Sequence, residues 1–224
     1  MLIKKIYTHL KRIPFLKNIL FQLNRIIKDR GIVFGKNNKI LFKSSAKFNN
    51  KIYINGNNNL IKINNSEIVN CDFKISGNNC KILVDNNSHL NGTELYVEGD
   101  NILISIGENC FVGKSHLAAV EDNSQIKLEK NCLISSNVHI RTSDSHSIFY
   151  KENNKRINYA KSIYISEKVW IGEGARILKG VHLGHEIIVS SGSIVTKSFK
   201  NKNVIIGGIP AKVLKENIFW QREL

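Results

Sequence analysis

The chain has 224 residues, 42% of them hydrophobic, which suits one domain with a buried core and room for a small appendage. A formal net charge of +15 points to an anionic partner, although part of that excess belongs to a lysine- and asparagine-rich composition. No run approaches about eighteen uncharged apolar residues, so a transmembrane helix is not expected; two prolines argue against a proline-rich disordered region, and aromatic and basic residues are not interleaved as in a nucleic-acid reader.

Residues 1–30 read as helical. Leu16, Ile19, Leu20, Leu23, Ile26 and Ile27 mark one face at three-to-four spacing, and Pro14 separates a short first helix from a second. The segment is basic. One reading lays it on an anionic membrane surface, the other uses it to cap the end of the domain that follows. Lys11, Arg12 and Lys17 interrupt any signal-peptide core, which gives a cytoplasmic expectation.

From residue 31 a repeat of 21 to 22 residues appears. Gly35-Lys36-Asn37-Asn38 precedes Ile40 and Phe42, and Gly56-Asn57-Asn58-Asn59 precedes Ile61 and Ile63. Gly77, Gly99 and Glu121 open the next three copies, which lead to Ile82 and Val84, Ile104 and Ile106, and Ile126 and Leu128. Gly and Asn tolerate left-handed backbone, so they belong at corners, and the alternating aliphatics are inward strand positions. Cys71, Cys80, Cys110 and Cys132 form no CxxC pair; they read as small apolar fillers of successive coils in a reducing compartment.

Between 143 and 160 the periodicity fails. This polar stretch cannot supply inward aliphatics, so it is an excursion from the solenoid, the kind of loop that carries function. The strictest periodicity follows. Ile165, Ile171, Ile177, Leu183, Val189 and Val195 fall every six residues, with Val169, Ala175, Val181, Ile187 and Ser193 in a second register. Six is a multiple of a strand's period and not of a helix's, so short strands meet at regular corners. The reading is an all-β protein whose domain over 31–212 is a β-helix of hexapeptide repeats. Residues 213–224 are expected as a short closing helix.

Three motifs complete the pattern: Val169-Trp170-Ile171-Gly172, Gly192-Ser193-Ile194-Val195-Thr196-Lys197 and Gly208-Ile209-Pro210-Ala211-Lys212. With them the chain resembles the hexapeptide-repeat acyltransferases, in the branch of galactoside and maltose acetyltransferases and capsule polysaccharide O-acetyltransferases. The resemblance implies a left-handed parallel β-helix, a homotrimer with active sites between subunits, and acetyl transfer from acetyl-CoA. It implies a sugar hydroxyl of a bacterial surface polysaccharide (capsule, O-antigen or lipooligosaccharide) as acceptor, with peripheral contact at the cytoplasmic face of the inner membrane.

His146 is the expected general base. It follows Asp144 within the loop and precedes Trp170 by 24 residues, as the family's catalytic histidine precedes its tryptophan. An imidazole titrating near neutrality can take the proton of an attacking hydroxyl, which is otherwise a poor nucleophile. Asp144 either orients that imidazole or simply forms a turn. Trp170, flanked by inward Val169 and Ile171, points outward, toward substrate or toward a neighbouring subunit. Asn137 and His139 are acceptor or oxyanion candidates. Gly172, Ser191, Thr196, Lys197 and Lys212 match positions that hold the CoA arm and phosphates, while Glu173 departs from the small residue usual there. His116, His182 and His185 read as surface or interface residues. The same fold carries zinc in γ-class carbonic anhydrases, but the histidine spacing they need is missing, and no metal is expected. Rival readings are N-acetylation of an amino sugar or sugar nucleotide on the same fold, and a non-catalytic β-helix scaffold or binding module.

Overall fold

A computed structural model describes residues 30–43 and 46–223. The basic segment expected as helical lies, apart from Arg30, outside the described residues. Within them the strands build three sheets of eight, seven and nine strands that alternate along the chain. Face I begins with Arg30–Phe34, face II with Lys39–Phe42 and face III with Ala46–Phe48; each strand but the last pairs in parallel with the strand one coil away. The result is a left-handed parallel β-helix of about seven turns.

The inward columns explain the periodicity. Ile52, Phe73, Leu95, Leu117, Ile140, Ile177 and Val195 stack in register down face I. Ile61, Ile82, Ile104, Ile126 and Ile163 do so on face II, and Leu90, Val112, Ile134, Ile171, Val189 and Ile206 on face III. All are buried, as are the four cysteines, which are free thiols. Each aliphatic sits on a chemical equivalent one coil away, so burial and strand pairing reinforce each other at every step. In the first described coil the pattern weakens: Ile40, expected inward and stacked on Ile61 of the next coil, is 38% exposed.

The corners between faces I and II show why glycine recurs. Gly56 has φ +138°, and a Cβ there would lie 1.9 Å from the carbonyl oxygen of Gly77 on the next coil. Gly56→Ala is therefore expected to destabilise by about 3 kcal/mol or more, combining left-handed strain with overpacking, and to lower Tm by roughly 8 °C. Gly31→Ala, with open space around its Cβ, serves as the control and should leave the melt nearly unchanged.

The expected C-terminal helix is absent among the described residues. Ala211–Glu216 is instead a strand antiparallel to Val204–Gly208, and 217–223 continue without helix. The last parallel strand leaves a row of main-chain donors and acceptors unpaired, and the returning chain satisfies them. That gain outweighs the helical preference of a short Lys-Val-Leu-Lys-Glu run.

Candidate active site

The excursion leaves face I after His139–Arg141 and rejoins face II at Ile163–Ile165, at the corner that four earlier coils turn with Gly and Asn. Its tip is a short hairpin in which Tyr150 N–H donates to Lys155 O and Ile157 N–H to Ile148 O, at 3.0 and 2.9 Å. Its base is held from both sides. On the preceding coil Glu121 takes the corner position that Gly35, Gly56, Gly77 and Gly99 hold earlier. Arg156 grips that carboxylate with two prongs, both at 2.7 Å, and Ser143 Oγ donates to it at 2.5 Å. The Arg156 hydrogen bond holds the Glu121 carboxyl below its usual range, against a smaller opposing effect of burial. On the following coil Lys179 pairs with Asp144, and that contact is the main reason the Asp144 carboxyl is also depressed.

Asn158 ties the loop together. It is 7% exposed, and its side-chain oxygen accepts from Ile148 N–H at 2.7 Å. Its amide donates to Asp144 Oδ2 at 2.9 Å and to the main-chain oxygen of His146 at 2.8 Å. His146 is thereby fixed through its backbone, while its exposed ring has no hydrogen-bond partner among the described residues. The Asp144 carboxylate engages Lys179 and Asn158 and makes no hydrogen bond to the imidazole two residues away. A cation on the adjoining coil is the stronger partner for it.

Trp170 points outward from face III, 36% exposed. Its Nε1–H donates to Ser135 Oγ at 3.4 Å, and its ring centroid lies 5.9 Å from that of Trp220. Face III is the side of the triangular coil opposite the corner between faces I and II. His146 and Trp170 of one chain therefore do not meet.

Asn137 and His139 do come together, at the corner between faces III and I and the start of a face I strand. With Glu94, Lys114 and His116 they line a cavity of about 220 Å³. Lys74 Nζ lies 2.5 Å from Glu94, the Glu94 carboxylate accepts from the ring of His116 at 2.8 Å, and the His116 and His139 rings are 5.8 Å apart. Burial, then the charge of Arg176, pushes the His139 imidazole below its usual pKa. His182 and His185 sit beside Ser166 and Glu186 on other faces of the coil.

Gly172 and Ser191 stack on that same corner between faces III and I. A Cβ on Gly172 would come within 2.7 Å of Ser191 N, so the close approach of the two coils requires glycine. Glu173, between them and Asn137, accepts from the Asn137 amide at 3.3 Å. Thr196 and Lys197 are exposed just past the face I strand Ile194–Val195, at the corner that carries the loop; Lys212 lies on the last strand of face III. The five cofactor candidates thus occupy three places on one chain. Among the described residues no cluster of metal-ligating side chains converges, and no helix is long and apolar enough to cross a membrane.

Asn158, Lys179 and the Glu121–Arg156 pair escaped the reading of the sequence. Lys179 is 35 residues from Asp144, and nothing in the sequence links them. One signal was available: Glu121 breaks a column of corner glycines one coil before the loop.

No family model matches the chain. A stretch of 85 residues, 38% of the chain, is 41% identical to the polysialic acid O-acetyltransferase of Escherichia coli O1:K1 / APEC, and spans 27% of that relative's length. The crystal structure of the polySia-specific acetyltransferase NeuO superposes over 88% of this chain and 90% of its own, with TM-score 0.79 and 30% identity. That of the polysialic acid O-acetyltransferase OatWY covers 87% and 92%, with TM-score 0.79 and 29% identity.

Proposed function

The chain belongs to the hexapeptide-repeat acyltransferases, and from that premise we propose that it O-acetylates a sugar hydroxyl of a bacterial surface polysaccharide with acetyl-CoA as donor. The observation that carries the proposal is the exposed imidazole of His146, without a hydrogen-bond partner among the described residues, on a loop tied down at Glu121 and Lys179. A base so held needs little reorganisation before it acts. The neutral ring accepts the proton of the acceptor hydroxyl as its oxygen attacks the thioester carbonyl. The tetrahedral adduct collapses to the acetyl ester and expels the CoA thiolate, which takes the proton back from His146. Asp144 holds the loop through Lys179 and Asn158 and acts on His146 at one remove.

Acetyl-CoA suits the corner stack. Gly172 lets the backbone of two coils come close enough to line a pantetheine arm, and Thr196, Lys197 and Lys212 offer a hydroxyl and two cations to its phosphates. Because His146 and Trp170 of one chain face apart, a site using both draws them from different subunits, which supports a homotrimer with active sites between subunits. In this reading Asn137 and His139, beside Gly172 and Ser191, contact the acceptor. The +15 charge suits an anionic glycan at the cytoplasmic face of the inner membrane, where acetyl-CoA is available.

The test is direct. The full chain, acetyl-CoA and purified capsule, O-antigen or lipooligosaccharide glycans should release thiol and leave hydroxylamine-labile acetyl on the polymer. Acetyl that resists hydroxylamine would indicate amide formation, and transfer only to free mono- or disaccharides would count against a polymeric acceptor.

A further inference from the structure

We propose that Trp220 is a positioning residue for Trp170, and that the pair presents one aromatic platform to a sugar ring of the acceptor polymer. The inference rests on the acetyltransferase reading above and adds the device that sets acceptor affinity.

After the last strand the chain turns back along the solenoid axis as a strap over 217–223. Ile218 N–H donates to Asn203 O at 3.0 Å, Trp220 Nε1–H to Lys168 O at 2.8 Å, and Arg222 Nη2 to Cys132 O and Asn109 O at 3.0 and 2.6 Å. Each anchor lies on an earlier coil than the one before, at the edge where face III begins. Beneath the strap Glu186 pairs with Lys168 Nζ at 2.5 Å and accepts from Asn203 at 2.8 Å.

This strap seats the Trp220 ring, 7% exposed, against Trp170 at 5.9 Å between centroids and 48° between planes. Ser135 holds the indole nitrogen of Trp170. A lone indole on a sheet face samples several rotamers; one braced by a buried ring and a hydroxyl does not. What remains open is part of one indole, a surface that suits the C–H face of a pyranose. On the Trp220 side a cavity of about 300 Å³ opens between strap and coils, lined also by Asn109, Asn131, Lys168, Gln221, Arg222 and Glu223, whose amides and charged groups suit sugar hydroxyls. Bracing removes rotamer entropy that binding would otherwise cost, so its signature is acceptor affinity.

The chain has only two tryptophans, and both are in the pair. Wild-type protein should therefore show a far-ultraviolet exciton couplet, which Trp220→Phe and Trp220→Ala abolish. In steady-state kinetics with a polysaccharide acceptor, Trp220→Ala should raise the acceptor KM roughly tenfold and leave the acetyl-CoA KM within about twofold. Trp220→Phe, which keeps a ring against Trp170, should restore the acceptor KM to within about threefold of wild type. If Trp220→Ala does not fold, Trp220→Leu carries the same comparison. An unchanged acceptor KM in a folded variant overturns the inference, as does an equal rise in both KM values, loss of the oligomer, or a wild-type spectrum without the couplet. Wild-type protein that transfers acetyl to no polysaccharide overturns the acetyltransferase reading itself; the couplet still reports whether the two rings are paired.

Discussion

Replacing His146 by alanine should lower acetyl transfer by about 10²- to 10⁴-fold, read as thiol release, with the sedimentation and melting of the protein unchanged. Arg156, Asp144 and Asn158 hold the loop to Glu121 and Lys179 on the adjoining coils, and the His146 ring makes no hydrogen bond to any of them. Its removal therefore deletes chemistry and leaves structure. The residual rate reports how much of the acceleration comes from aligning hydroxyl and thioester alone. The loss should fall on kcat, since the imidazole makes its decisive interaction as the proton moves. His139 provides the comparison. It is half-buried in a column with His116 and Arg176 on face I, away from the loop, so His139→Ala should cost far less. A His146→Ala enzyme at wild-type rate, with His139→Ala inactive, would move the base to the face I column.

The parts of the fold that repeat were legible, because periodicity is a statement about many residues at once. The six-residue spacing from Ile165 to Val195 corresponds to one inward contact per strand, and each of those residues is buried. The corner glycines were readable because backbone geometry at Gly56 admits nothing larger. The loop was visible as a failure of the pattern, and His146 as the histidine inside it. The rest depends on contacts between coils that no local window contains. Asp144 meets Lys179, and Glu121 meets Arg156, across a full turn of the solenoid. The C-terminal segment was misread for a related reason: its own residues favour helix, and only the open edge of Val204–Gly208 makes a strand the better choice. Trp220 looked like part of that helix, and its pairing with Trp170 follows from the strap.

Asn158→Asp should reduce kcat by roughly 10²-fold without moving the acetyl-CoA KM or the melting temperature by much. The substitution is nearly isosteric and keeps the oxygen that accepts from Ile148 N–H. It turns the amide donor, 2.9 Å from Asp144 Oδ2 and 2.8 Å from His146 O, into a second acceptor facing both. Two carboxylates and a carbonyl then converge where one amide had satisfied them, so the base of the loop opens and carries His146 with it. A displacement near 1 Å suffices for a loss of about 10² in rate. The core is untouched, which is why the melt stays in place. The like charge of Asp144 raises the pKa of the introduced acid, so lowering the pH protonates it, returns a donor to the position, and re-forms the contacts. Amide hydrogen exchange over 143–160, corrected for intrinsic rates, should thus be faster than wild type at neutral pH and approach it on acidification. If the variant matches wild type in both kcat and exchange at neutral pH, Asn158 does not hold the catalytic loop and the His146 geometry must be set by the neighbouring subunit.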